Sequence, residues 1–263
     1  MSRLIHPNPW QELKRYTTAR IALGRTGVSL PTDALLQFGL AHAQARDAVH
    51  QPLQSQHLTE SLHQLGLPVL QVHSAASNRD EYLRRPDLGR RLNSESLASL
   101  QALPAHEYDL AILIGDGLSS TALHQNAIPF LQALQPHLRR LQLSIAPLVV
   151  AEQARVALGD EVGQVLRCRA VLVMIGERPG LTSPDSMGLY LTWQPEVGRL
   201  DSERNCISNV RPAGLTFAPA AHKLAWLLEQ AFVRRLTGVG LKDESEHPQQ
   251  ALVHQVATAI DMS

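Results

Sequence analysis

The chain is short of aromatic residues: phenylalanine, tyrosine and tryptophan make up 4% of its 263 residues. That leaves too few rings for the stacking platforms that hold single-stranded nucleic acid. Neither charge is in excess, since 24 Lys and Arg face 24 Asp and Glu. The basic footprint of a nucleic-acid or anionic-membrane binder is therefore missing. Only two cysteines occur, Cys168 and Cys206, and neither belongs to a CxxC pattern. This argues against a disulfide framework or a structural zinc site and suits a reducing cytoplasm. The opening MSRLIHPNPW lacks the apolar core of a signal peptide. No apolar run approaches the ~20 residues that a membrane span requires. Twelve histidines are scattered without HxxxH or HxH spacing, so surface or locally bonded histidine is the reading and no metal ligand is assigned. Familiar signatures are absent too: there is no GxGxxG after a strand, no GxxxxGK[ST] and no GxSxG.

What is present is periodic. The length allows one large domain, or one domain plus an arm. Residues 1–66 read as a helical N-terminal region. Its segments are WQELKRYTTARIAL after Pro9, TDALLQFGLAHAQARDAV with Thr32 as the cap, and HLTESLHQL ending at Gly66. From residue 67 the pattern changes. LPVLQV, YDLAILIG, LSIAPLVVA, AVLVMIG and GLYLTW are strand-like, and helical segments separate most of them: NSESLASLQAL, SSTALHQNAIPFLQALQPHL with a bend at Pro129, and VALGDEVGQVLR. APAAHKLAWLLEQAFVRRLTG is an amphipathic helix closed by Gly238. Strands apolar throughout, alternating with helices, predict an α/β fold. The expectation is a Rossmann-like, doubly wound parallel sheet over residues 67–263, preceded by the helical arm. KDESEHPQQ reads as a charged linker, with a last short helix over 250–260.

In such a sheet, ligands sit at the carboxyl ends of the strands. IGDGLSS, with Asp116, and IGERPG, with Glu177 and Arg178, both fall there. Ser119 and Asp116 could serve a ligand, or equally could cap a helix. Glu177 could be half of a solvated ion pair at a strand exit, or a carboxylate awaiting a ligand. RNCISN, with Cys206, lies in a stretch short of regular periodicity. In YLRRPDLGRRL, Arg84, Arg85, Arg90 and Arg91 surround Tyr, Pro and Gly, which favours a shaped contact over plain solvation. One function open at this point is a stand-alone Rossmann-like nucleotide-binding enzyme using Cys206 or Asp116.

Five blocks in one order, KRYTTARIALGRTG, YLRRPDLGRRL, the DGLSS turn, IGERPGL and RNCISNVRPAG, resemble the small (light) subunit of ethanolamine ammonia-lyase from about residue 8 to about 240. The resemblance implies an adenosylcobalamin-dependent carbon–nitrogen lyase that converts ethanolamine to acetaldehyde and ammonia by radical chemistry. It implies a large-subunit partner that carries the substrate site, in a hexamer of heterodimers. Cobalamin-binding positions carry over to Val156 in ARVALGDEVG, Glu177 in IGERPG and Cys206 in RNCISN; no catalytic residue and no metal ligand does. No DxHxxG occurs, so the cofactor is expected to keep its own base on cobalt. Some family members carry an additional N-terminal amphipathic segment associated with packaging into a bacterial microcompartment. Here the common core begins almost at once, which counts against such packaging and points to the cytoplasm.

Overall fold

The structure is a computed structural model that describes residues 5–66 and 68–246. The expected helix over 250–260 and the end of the charged linker lie outside those residues. Six strands form one sheet: β1 (Val69–His73), β2 (Tyr108–Gly115), β3 (Leu148–Glu152), β4 (Cys168–Gly176), β5 (Met187–Trp193) and β6 (Arg204–Val210), in the order β1-β3-β2-β4-β5-β6. The helices are α1 (Thr32–His50), α2 (Ser55–His63), α3 (Arg79–Arg84), α4 (Ser94–Gln101), α5 (Ser120–Leu141), α6 (Leu158–Val165) and α7 (Phe217–Arg234). Among the described residues no helix is long and apolar enough to cross a membrane.

The sheet is mixed, which corrects the expectation of a wholly parallel one. β1, β3, β2 and β4 run parallel, but β5 pairs antiparallel with β4 and with β6. The physical cause is the connection. Parallel neighbours need a crossover of roughly a dozen or more residues, usually a helix. Residues 177–186 contain Pro179, Gly180 and Pro184 and form no helix, so the chain turns back on itself.

Apolar side chains fill both faces of the parallel strands. On one face Ile112, Ile114, Leu172 and Met174 meet α2, α5 and α7; on the other Leu113, Val149, Val171 and Val173 meet α4 and α6. Each such side chain contributes about 1.5–3 kcal/mol on full burial. The second face is covered only in part. Leu189, Leu191, Ile207 and Val210 of β5 and β6 are buried against the first layer, but on the reverse side Cys206 and Ser208 are exposed and Tyr190 is half-buried. RNCISN, expected to be irregular, is thus a strand whose one face is open to solvent at Cys206 and Ser208.

The N-terminal region departs from its expected helix. Residues 9–16 form a 3-10 helix capped by Asn8, whose side chain accepts the Trp10 N–H. It ends at Thr17, an extended residue whose hydroxyl takes the Ala19 N–H at 3.1 Å. A β-branched side chain that offers the backbone an alternative partner stops the helix there. α1 begins at Thr32 with Pro31 at the cap position and no side-chain cap, so Thr32 does not play the capping role expected of it. Asn93 does cap α4, accepting from Ser96 N at 2.8 Å. α5 runs through both Pro129 and Pro136. α7 stops at Arg235, in the left-handed region, three residues before Gly238.

Candidate functional site at the carboxyl edge

The register places three strand ends on one edge of the sheet. Gly176 at the end of β4 stands opposite Met187 at the start of β5, and Met187 stands opposite Val210 at the end of β6. Glu177 and the 209–215 turn therefore leave the sheet side by side. Glu177 does not pair with Arg178. Its Oε2 accepts the Ser186 hydroxyl in a short hydrogen bond and the Asn209 N–H at 3.1 Å. Asn209 is left-handed, with φ 59°, a conformation Asn adopts more readily than most residues. The other oxygen, Oε1, lies 3.0 Å from where a Cβ on Gly188 would stand, and the Tyr190 ring lies equally close to that point. A larger residue there would crowd both the carboxylate and the ring.

Tyr190 and Cys206 are direct cross-strand partners. Burial raises the Tyr190 phenol, and Cys206 and Glu177 beside it push it further the same way. The Cys206 thiol is raised as well, by its protein-dense surroundings first and by the Glu177 charge, although the Tyr190 hydroxyl opposes this. It is a neutral thiol and a poor nucleophile. Cys168 is buried and pushed up to about 12, with burial as the main cause.

Val156 reaches the same face from the loop after β3. It packs half-buried against the α4–α6 side of the core, as Tyr190 does. Gly159, one turn on, has its Cβ position 2.3 Å from Val173, which pairs with Tyr190. α6 thus lies hard on β4 and holds the Val156 loop at the border of the open face. Beneath the border, Arg204 of β6 makes a bidentate pair with Asp160 of α6 at 2.6 and 2.7 Å and also donates to Thr192 at 3.0 Å. Glu177 and Cys206 are brought together around Tyr190, with Val156 on the same face. Neither Tyr190 nor Asn209 stood out in the sequence. The usable signal was the two-residue period of GLYLTW against RNCISN, which sets Tyr190 beside Cys206.

The DGLSS turn does other work. Asp116 accepts from Gln153 N at 3.0 Å, Ala154 N at 2.8 Å and Arg79 at 3.2 Å. Burial nevertheless pushes its carboxyl up to about 6. Ser119 caps α5 through Ala122 N at 3.2 Å. Leu118 N donates to Gly176 O at 2.9 Å, which locks this turn against the Glu177 turn. Of the two readings left open for DGLSS, the capping one describes these contacts. The basic segment has a defined shape: Tyr82 is fully buried between the Arg79 and Arg155 guanidinium groups at 4.7 and 4.3 Å, and its hydroxyl donates to Ala154 O. Arg85 pairs with Asp87 and Arg91 with Glu161, whereas Arg84 and Arg90 are exposed with no salt bridge among the described residues. Among those residues no group of three or more His, Cys, Asp or Glu could hold a metal ion.

These features define a class: a mixed α/β protein whose candidate site is an open sheet border, furnished with hydrogen-bonding and apolar contacts. The ethanolamine ammonia-lyase light chain (EutC) family profile matches residues 7–242. The chain is 54% identical over 242 residues to the ethanolamine ammonia-lyase small subunit of Azotobacter vinelandii, covering 91% of this chain and 90% of that one. It is 52% identical over 242 residues to that of Pseudomonas fluorescens Pf-5 (91% and 88%) and 51% identical over 245 residues to that of Pseudomonas aeruginosa UCBPP-PA14 (91% and 89%). The chain belongs to the ethanolamine ammonia-lyase light-chain family.

Proposed function

We propose that this chain acts as the small subunit of an ethanolamine ammonia-lyase and holds adenosylcobalamin on the open face of β5–β6, against a large subunit that carries the substrate site. The observation that carries this reading is the convergence of Glu177 and Cys206 around Tyr190, over a glycine that keeps the face clear. The residues fit the group. A corrinoid has a broad apolar ring and a rim of amide side chains. Glu177 has one oxygen tied to Ser186 and Asn209 and the other turned to the open face, an acceptor for a rim amide N–H. Charge-assisted hydrogen bonds of that kind are worth about 1.5–3 kcal/mol. Val156 and the Tyr190 ring supply apolar surface, and the small Cys206 side chain lets a flat ligand approach the strand.

When bound, the cofactor supplies the cobalt–carbon bond on which the radical chemistry depends. This chain's own residues bind and orient. Ser186 and Asn209 fix the Glu177 rotamer, and the Asp160–Arg204 pair ties the helix behind Val156 to the strand that carries Cys206. No proton transfer is assigned to any of them. Residues 67–263 are read as a Rossmann-like cobalamin domain and residues 1–66 as a helical extension. The assembly is read as a hexamer of heterodimers in the cytoplasm. The stand-alone nucleotide enzyme is not favoured, since Cys206 is held neutral and Asp116 is engaged with Arg79 and two amides. A cobalamin titration of the co-assembled subunits tests the reading: spectral saturation at one cofactor per heterodimer supports it, and an unchanged spectrum refutes it.

A further inference from the structure

Most of the exposed large apolar side chains among the described residues lie in one stretch, from Ile5 to Leu40. The 3-10 helix there buries none of its residues, and the 19-residue α1 buries only Ala41 and Ala48. Trp10, Tyr16 and Leu30 are exposed, as are Leu36 at 68% and Leu40 at 61%. So many large apolar side chains exposed within one segment are uncommon on a monomer and mark a surface that a partner covers. The segment is held in place all the same. His6 and Arg25 exchange backbone hydrogen bonds, and a tight turn closes Thr26 on Ser29.

Two features say what the cover is. On α1, at 100° per residue, Leu35, Leu36, Phe38 and Leu40 span an arc of roughly 200°. That is wider than the stripe of about 100° by which a helix packs on a single neighbour, so the cover is a groove that surrounds the helix rather than one facing helix. The segment is also joined to the candidate site. Arg20 lies over the Phe38 ring at 5.9 Å and donates to Leu181 O at 3.1 Å, in the loop that starts at Glu177. Its charges are mainly basic, Lys14, Arg15, Arg20 and Arg25 against Glu12 and Asp33.

We propose that residues 9–40 are the segment by which this chain seats in an apolar, acid-rimmed groove of the large subunit, so that the open face and its cofactor come to lie at that subunit's surface. This rests on the reading that a large subunit is the partner. Leu36→Glu combined with Leu40→Glu changes only exposed side chains and leaves the fold intact, which circular dichroism checks. The full chain is co-expressed with the large subunit, and the dissociation constant is measured for the wild type, the double variant and Val233→Glu, an exposed apolar position on α7. The double variant weakens association by at least about thirtyfold, the scale of losing a buried apolar anchor, whereas Val233→Glu leaves it unchanged. Equal affinity for wild type and double variant overturns the proposal. So does an intact heterocomplex accompanied by loss of self-association of the isolated chain, because the groove then belongs to a second copy. Failure of the wild type itself to bind the large subunit overturns the underlying functional reading instead.

Discussion

Glu177 and Asn209 are joined by a 3.1 Å hydrogen bond from the Asn209 N–H to the carboxylate, which fastens the exit of β4 to the end of β6 across the intervening strand. The bond spends one oxygen of Glu177 on the protein and leaves the other for a ligand. That division makes the carboxylate a fixed acceptor instead of a floating surface charge.

Replacement of Glu177 with alanine should weaken adenosylcobalamin binding to the assembled enzyme by about tenfold to 150-fold, the equivalent of one charge-assisted hydrogen bond. Circular dichroism of the subunit should be unchanged. Glu177→Gln keeps an oxygen for Asn209 and should fall between. Equilibrium titration of the three proteins decides the matter, and equal affinities would remove the carboxylate from the site.

Gly188→Val should reproduce the binding loss with every proposed contact residue left unsubstituted. A Cβ at Gly188 would stand 3.0 Å from both Glu177 Oε1 and the Tyr190 ring, so the added side chain pushes the carboxylate off its position. Affinity should drop at least about tenfold with a smaller effect on thermal stability. Titration beside a thermal melt separates the two effects. Intact binding would show that Gly188 is not what keeps the face open.

Of the two thiols, only Cys206 is exposed. Its raised pKa predicts slow alkylation at pH 7.5, faster at pH 9, because the thiolate is the reacting form. Saturating cobalamin in the assembled enzyme should suppress that labelling several-fold, and Cys168 should react only after denaturation. Mass-spectrometric counting of modified sites measures both. Labelling indifferent to cobalamin would place the ligand away from β6.

Much of this was legible in the residues. Apolar runs such as YDLAILIG and AVLVMIG announced buried strands, and NSESLASLQAL announced its helix. The reversal of β5 depended on a connection too short, and too broken by Pro179, Gly180 and Pro184, for a helical crossover. That signal is local, whereas strands apolar throughout favour a parallel sheet. RNCISN hid its strand because burial along it does not alternate: Arg204, Ile207 and Val210 are buried at intervals of three, whereas the residues between them are not. Tyr190 and Asn209 join the site through register and a left-handed backbone, and neither is visible before strands are paired.

Asp116 makes stability depend on pH with an unusual sign. Its carboxyl is raised from 3.8 to about 6 by burial, against the pull of Arg79 and two backbone amides. A group raised on folding favours the folded state most below its unfolded pKa, and that contribution is lost as pH rises through the folded value. Between about pH 4 and pH 7 the wild type should therefore lose stability relative to Asp116→Asn, by up to about 3 kcal/mol. Urea unfolding of both proteins across that range provides the check. A difference that stays flat with pH would mean that Asp116 is as acidic folded as unfolded.

The central claim is the seat of the corrin ring, and a structure of the assembled subunits with adenosylcobalamin bound tests it most directly. The ring edge should lie within hydrogen-bonding distance of Glu177 and in contact with Val156 and Cys206, on the uncovered side of β5 and β6. A ring lodged elsewhere, with Glu177 still bonded only to Ser186 and Asn209, would contradict the account.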